Sequence, residues 1–160
     1  MLETSSPVAQ TPSSAQHYPQ LLLDHQLCFA LYSASLAMTK VYKPLLDDLG
    51  LTYPQYLVML CLWEQDVQSV SALGQRLSLD SGTLTPLLKR LQALELLSRE
   101  RSTEDERRVH VRLTPQGWAL RERAACIPAC LLQAVQCEVT EIQHLTAQLQ
   151  AFRLRFSPKP

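Results

Sequence analysis

Cys28 is the residue with the most chemistry within reach of its neighbours. Tyr32 follows it by one helical turn, and Tyr42 and Tyr53 fall at the end of the same segment and the start of the next. Thiolate is the reactive form of cysteine, and hydroxyl donors around it lower the thiol's pKa. A thiolate among phenols can attack the O–O bond of a peroxide and become a sulfenic acid. Phenols in an apolar setting suit an organic peroxide better than a hydrated one. The same spacing is met by a cysteine that only packs a helix, with core tyrosines around it. Spacing leaves both readings open.

Four more cysteines bring the total to five, an odd number without the close pairing of a secreted disulfide scaffold. Cys61 sits inside the apolar run 56–63 and reads as packing. Cys126, Cys130, Cys137 and His144 fall near one helical face, and soft thiolates with imidazole suit zinc or copper. Pro128 bends that face between the first two. The chain has no Gly-x-Gly-x-x-Gly, no Cys-x-x-Cys and no βαβ pattern, so neither an enzyme nor a bound cofactor is expected.

A second group of residues concerns charge. Fifteen Lys and Arg balance fifteen Asp and Glu, so net charge alone says nothing of nucleic acid. Between Lys89 and Arg112, however, stand Lys89, Arg90, Arg99, Arg101, Arg107, Arg108 and Arg112 against five carboxylates. That excess is modest, and a DNA reading must rest on geometry.

The elements that must position these residues are mostly helical. Residues 1–19 are polar and without periodicity, which predicts a disordered arm. From Leu23 the apolar positions Leu27, Leu31, Ala34, Met38, Val41, Leu45 and Leu49 step by three and four, an amphipathic helix with a heptad-like seam. Pro44 should kink or restart it, and Gly50 should end it. Thr52-Tyr53-Pro54 then opens a second helix, with Tyr56, Leu57, Leu60 and Trp63 on its inner side. Two short helices follow. Ser69 or Ser71 can cap 70–77, and the stretch 80–83 can cap a helix running to about Glu95, with Pro86 near its start. Their three-residue link is the helix-turn-helix pattern. Next come 96–100, a charged turn at 102–108, and 109–113, in which Val109, Val111 and Leu113 alternate with His110 and Arg112. Two such strands directly after a helix-turn-helix form a β-wing.

Thr114-Pro115 caps a further helix to about Gln136, bent near Pro128, and a last helix carries Ile142, Leu145, Leu149, Phe152 and Phe156. The order α-α-α-α-β-β-α-α describes a mainly α fold with a two-stranded β-wing, a winged helix-turn-helix over 20–157. Its DNA-binding part spans 50–113, and dimerisation helices span 20–49 and 114–157. The terminal helices carry more apolar surface than one small chain can cover, so a symmetric homodimer is expected.

In such a dimer two reading helices can enter successive major grooves. Ser81 and Thr83 offer short donors and acceptors, and both equally suit a cap. Lys89 and Arg90 can reach phosphate or guanine. In the wing, Asp105 can orient Arg107 or Arg108 into a narrow minor groove. The first twenty residues lack a leader's apolar core, and the run 56–63 is too short to cross a bilayer. Both predict a cytoplasmic protein.

These residues resemble a known family. Asp105-Glu106-Arg107 followed by Leu113-Thr114 and Gly117 resembles the wing and following helix of MarR regulators. The stretches 27–32 (LCFALY), 51–57 (LTYPQYL) and 79–89 (LDSGTLTPLLK) resemble its organic hydroperoxide resistance branch, OhrR. The likeness runs over about 21–155. It implies that Cys28 senses peroxide and that Tyr42 and Tyr53 hold its thiolate across the dimer. Ser81, Thr83 and Arg90 would face the major groove, and Asp105 and Arg107 the minor groove. Such proteins repress a thiol peroxidase gene and leave the operator on oxidation; the reduced dimer of this chain is expected to bind an inverted-repeat operator. Some add a resolving cysteine in the C-terminal helices, at a position that falls on Gln133 here. Cys137, at the break before the last helix, ranks first as the resolving residue and Cys130 second, in a bond the resemblance places between subunits. A metal-sensing winged-helix repressor using Cys126, Cys130, Cys137 and His144 is the alternative.

Overall fold

The computed structural model describes residues 18–101 and 108–156. It divides the chain into two compact units, 1–37 and 38–160. In the first, single 3-10 turns at Pro19–Leu21 and Leu23–His25 precede the start of helix α1, Leu27–Asp47, whose residues from Met38 onward belong to the second unit. The Gln26 amide closes these turns by donating to the Gln20 carbonyl at 2.7 Å and to that of Leu22 at 3.1 Å. The helix expected from Leu23 therefore begins four residues later, because the carbonyls of Pro19, Gln20, Leu22 and Leu23 are taken by tight local bonds.

α1 also runs through Pro44 without restarting. Beyond the proline, Leu46 is fully buried, and Leu45 and Leu49 pack against the core. Tertiary packing holds the last turn where local preference would break it. Gly50, at φ 69°, then ends the segment as expected: Leu51 N–H donates back to the Leu46 carbonyl at 3.1 Å. This left-handed residue with its six-to-one bond is the common helix stop.

In the second unit, α2 (Tyr53–Glu64) is capped at Thr52, whose N–H donates to the Gln55 side chain at 2.8 Å. It is buried almost all round rather than on one face, with Val58, Met59 and Leu62 completely enclosed. A short strand β1 (Gln68–Ser69), absent from the sequence-based expectation, leads into α3 (Val70–Leu77) and α4 (Ser81–Ala93). Strands β2 (Leu97–Arg101) and β3 (Val109–Leu113) follow. The sheet is antiparallel in the order β1-β3-β2, with Leu97 opposite Leu113, Arg101 opposite Val109 and Ser69 opposite His110. It is three-stranded, one strand more than expected. Asp66 ties it to the end of α2 by accepting from Leu113 N–H at 2.9 Å.

Thr114 caps α5 (Pro115–Ala124), accepting from Gly117 N–H at 3.0 Å. The expected single helix bent near Pro128 is interrupted at two turn residues, Ala125 and Cys126, which keep right-handed helical backbone, and α6 (Ile127–Val135) follows with Pro128 in its first turn. Proline is tolerated there because first-turn N–H groups lack helical partners in any case. α7 (Val139–Leu154) follows a 100° bend and buries none of its residues. The core gathers Leu46, α2, Leu73, Leu84, Leu88, Leu91, Val111 and Ile127. No single helix among the described residues is long and apolar enough to cross a membrane.

Candidate DNA-reading helix and tyrosine cluster

α3 and α4 are short helices whose ends are fixed by their own side chains. Ser69 accepts from Ala72 N–H at 3.1 Å and starts α3. Ser78, left-handed at φ 56°, stops it, with Leu79 N–H donating to the Gly74 carbonyl at 2.9 Å. Asp80 then caps α4 by accepting from Thr83 N–H at 2.9 Å, and it also accepts from the Thr83 hydroxyl at 2.9 Å. Of the alternatives within 80–83, Asp80 is thus the cap. Ser81 is not used by that cap, while Thr83 gives it both its N–H and its hydroxyl proton.

Leu84, Leu88 and Leu91 bind α4 to the core. Ser81, Thr83, Lys89 and Arg90 are all exposed, and Thr83, Pro86 and Arg90 share one stripe at i, i+3 and i+7. Pro86 lies in the sixth helical position, deeper than expected, and α4 continues past it. The buried leucines on either side hold the helix together there.

The wing is the β2–β3 hairpin. Arg99 donates to the Gln92 side chain at 2.6 Å, fastening β2 to the end of α4. Arg108 is exposed immediately before β3. Asp105 and Arg107 lie outside the described residues.

Of the proposed sensing residues, Cys28 and Tyr32 are exposed on the first unit, one turn apart on α1. Tyr42 and Tyr53 belong to the second, where their rings meet with centroids 4.8 Å apart. A third ring, Tyr56, stands 6.1 Å from Tyr42 and was not foreseen in this cluster. Its i+3 spacing from Tyr53 is the signal that could have found it. Burial, followed by the neighbouring Tyr53 and Tyr56, pushes the Tyr42 phenol up to about 12. Burial also raises Tyr53 and Tyr56 above the ordinary phenol value. All three rings therefore stay protonated, as hydrogen-bond donors. Tyr53 also borders an open, mostly apolar pocket of about 370 Å³ lined by Lys40, Lys43, Leu46, Leu51 and Pro54 among others.

Cys61 is buried in the core, and that burial raises its thiol pKa. Cys126 is exposed at the α5–α6 break, and Gln133 is exposed on α6. Cys130 and Cys137 are half-buried; Cys137 stands between α6 and α7, next to Gln136 at φ 52°. Among the described residues no three His, Cys, Asp or Glu side chains come together to hold a metal ion. The grouping of Cys126, Cys130, Cys137 and His144 expected for a metal sensor is thus not formed, because helix breaks separate its members.

The family model for the transcriptional regulators SarA/Rot matches residues 40–123. The organic hydroperoxide resistance transcriptional regulator of Bacillus subtilis is 47% identical over 132 residues, covering 82% of this chain and 90% of that protein. Crystalline AbfR of Staphylococcus epidermidis has a TM-score of 0.73 at 36% identity, covering 88% of this chain and 97% of that one. A structure of reduced AbfR bound to DNA gives 0.69 at 33% identity, with 88% and 98% covered. The matched family and the Bacillus subtilis relative are transcriptional regulators. The chain therefore belongs to the MarR/SarA family of winged-helix transcriptional regulators, in the branch of the organic hydroperoxide resistance regulators.

Proposed function

We propose that this regulator represses transcription by binding operator DNA as a dimer, and that an organic hydroperoxide releases it by oxidising Cys28. The observation that carries the reading is the meeting of two half-buried phenols, Tyr42 and Tyr53, the second of which borders an open, mostly apolar pocket. Such a pair can donate to a thiolate presented by a second copy of the chain, while the pocket takes the peroxide's carbon chain. α4 and the wing lie on the DNA, with Ser81, Thr83, Lys89 and Arg90 in or beside the major groove. Arg107, oriented by Asp105, and Arg108 serve the minor groove.

The chemistry balances with the hydroperoxide as oxidant. Cys28 thiolate attacks the terminal peroxide oxygen, the O–O bond breaks, and the departing alkoxide takes a proton to leave as the alcohol. The sulfenic acid left on Cys28 is then attacked by a second thiol, which releases water and forms a disulfide. Cys137 is the first candidate for that thiol and Cys130 the second. The junction at 136–138 can move more readily than the interior of α6, and a disulfide needs Cα atoms within about 7 Å.

Intact-protein mass spectrometry after one equivalent of an organic hydroperoxide tests the sensing step. The wild type should gain one oxygen or lose two hydrogens per Cys28 oxidised, and Cys28→Ser should stay unchanged. Equal modification of Cys28→Ser would place the sensor elsewhere.

A further inference from the structure

We propose that Asp80 decides which bases α4 reads, by holding the Thr83 hydroxyl as a pure hydrogen-bond acceptor toward DNA. The inference rests on the reading that α4 lies in the major groove. Both Asp80 oxygens face Thr83: Oδ1 accepts from its N–H and Oδ2 from its hydroxyl, each at 2.9 Å. A carboxylate offers lone pairs only, so the single hydroxyl proton of Thr83 is committed to Asp80. Thr83 is exposed and presents what remains, its lone pairs.

Two features fix this arrangement. A Cβ at Gly82 would stand 3.0 Å from Asp80 Oδ1, so glycine there leaves the carboxylate its place, in a helix where glycine otherwise costs stability. The bonds from the Thr83 backbone and side chain also hold the Asp80 carboxyl below its usual pKa. The carboxylate is therefore ionised wherever the protein works.

In the major groove the donors are the adenine N6 and cytosine N4 amino groups, while guanine O6 and N7 and thymine O4 are acceptors. An acceptor-only Thr83 therefore bonds adenine or cytosine and meets guanine O6 or thymine O4 lone pair to lone pair. Asp80→Asn reverses the polarity without removing the cap. Asn is an equally good N-cap, and its oxygen can keep the Thr83 N–H. Its amide nitrogen then faces the Thr83 hydroxyl and donates to it, which frees the hydroxyl proton to point at the DNA.

The test begins by selecting duplexes from a random-sequence library with the reduced wild type, Asp80→Asn and Thr83→Val. The wild type should select adenine or cytosine at one position of each half-site. Asp80→Asn should shift that position toward guanine or thymine, and Thr83→Val should lose preference there. A base analogue isolates the contact: purine for the selected adenine, or 2-pyrimidinone for the selected cytosine, removes only the amino group. That change should weaken wild-type binding roughly three- to tenfold and leave Asp80→Asn and Thr83→Val indifferent. Loss of the Asp80 charge alone would instead alter affinity for every duplex alike. The inference is overturned if Asp80→Asn selects the wild-type bases, or if Thr83→Val keeps the full wild-type preference. If the wild type selects no sequence at all, the DNA-reading role of α4 falls, and this inference with it.

Discussion

Tyr42 carries a consequence that titration can read. The folded state favours its neutral phenol, raising the pKa from 10.0 to about 12, first through burial and then through Tyr53 and Tyr56. The stability linked to this group is fully present below the unfolded value and is lost as pH rises from about 10 through about 12. Denaturant unfolding followed over that window should show the loss in wild type, and a smaller loss in Tyr42→Phe. Near neutral pH Tyr42→Phe and Tyr53→Phe should keep the fold and slow oxidation of Cys28 on the order of tenfold, because each removes one donor to a charged acceptor. Stopped-flow loss of free thiol measures this, and unchanged rates would remove the phenols from the account. Gly117 makes a separate prediction at the same scale. A Cβ there would overlap the Leu96 carbonyl, while the Gly117 carbonyl accepts from the Trp63 indole at 2.9 Å. Gly117→Ala should cost on the order of 3 kcal/mol in urea unfolding.

Among the elements, the junction between α6 and α7 is the place to look for the second thiol. After peroxide treatment a covalent dimer on non-reducing gels should persist in Cys130→Ser and vanish in Cys137→Ser. The opposite pattern would reverse the order, and persistence in both would point to Cys126 or to Cys28 pairing with its own copy. How far such elements could be read from sequence depended on how local their causes are. Gly50, Ser69, Asp80 and Thr114 each fix a helix end through bonds within five residues, so their residue types announce the boundary. β1 is only two residues long, and its pairing partner, β3, lies more than forty residues away, so no period marks it. α2 is buried on nearly every side, and of the four residues expected on its inner side only Tyr56 and Trp63 are buried, since a helix without a polar face has no direction to read. Pro44 and Pro86 misled for a related reason: burial of Leu46, Leu84, Leu88 and Leu91 overrides a local penalty that sequence alone shows in full. The Tyr42–Tyr53 contact joins two helices, and its sequence hint was only that both are tyrosines near helix ends.

At the scale of the whole molecule, the apolar surface left uncovered is large. α7 exposes Leu145, Leu149 and Leu154, and the first unit exposes Leu21, Leu23 and Leu27. Exposed apolar side chains recurring along an element mark an interface, and sedimentation should show a dimer whose stability depends on protein concentration. Leu149→Glu should shift it toward monomer. Operator affinity should fall steeply as salt rises, because neutralised phosphates release counterions. The most direct test of the central claim is fluorescence anisotropy of a selected operator duplex with wild type and Cys28→Ser, before and after one equivalent of an organic hydroperoxide. Both proteins should bind when reduced; after the peroxide, wild type should leave the DNA and Cys28→Ser should remain. Release of Cys28→Ser, or retention of fully oxidised wild type, would contradict the account.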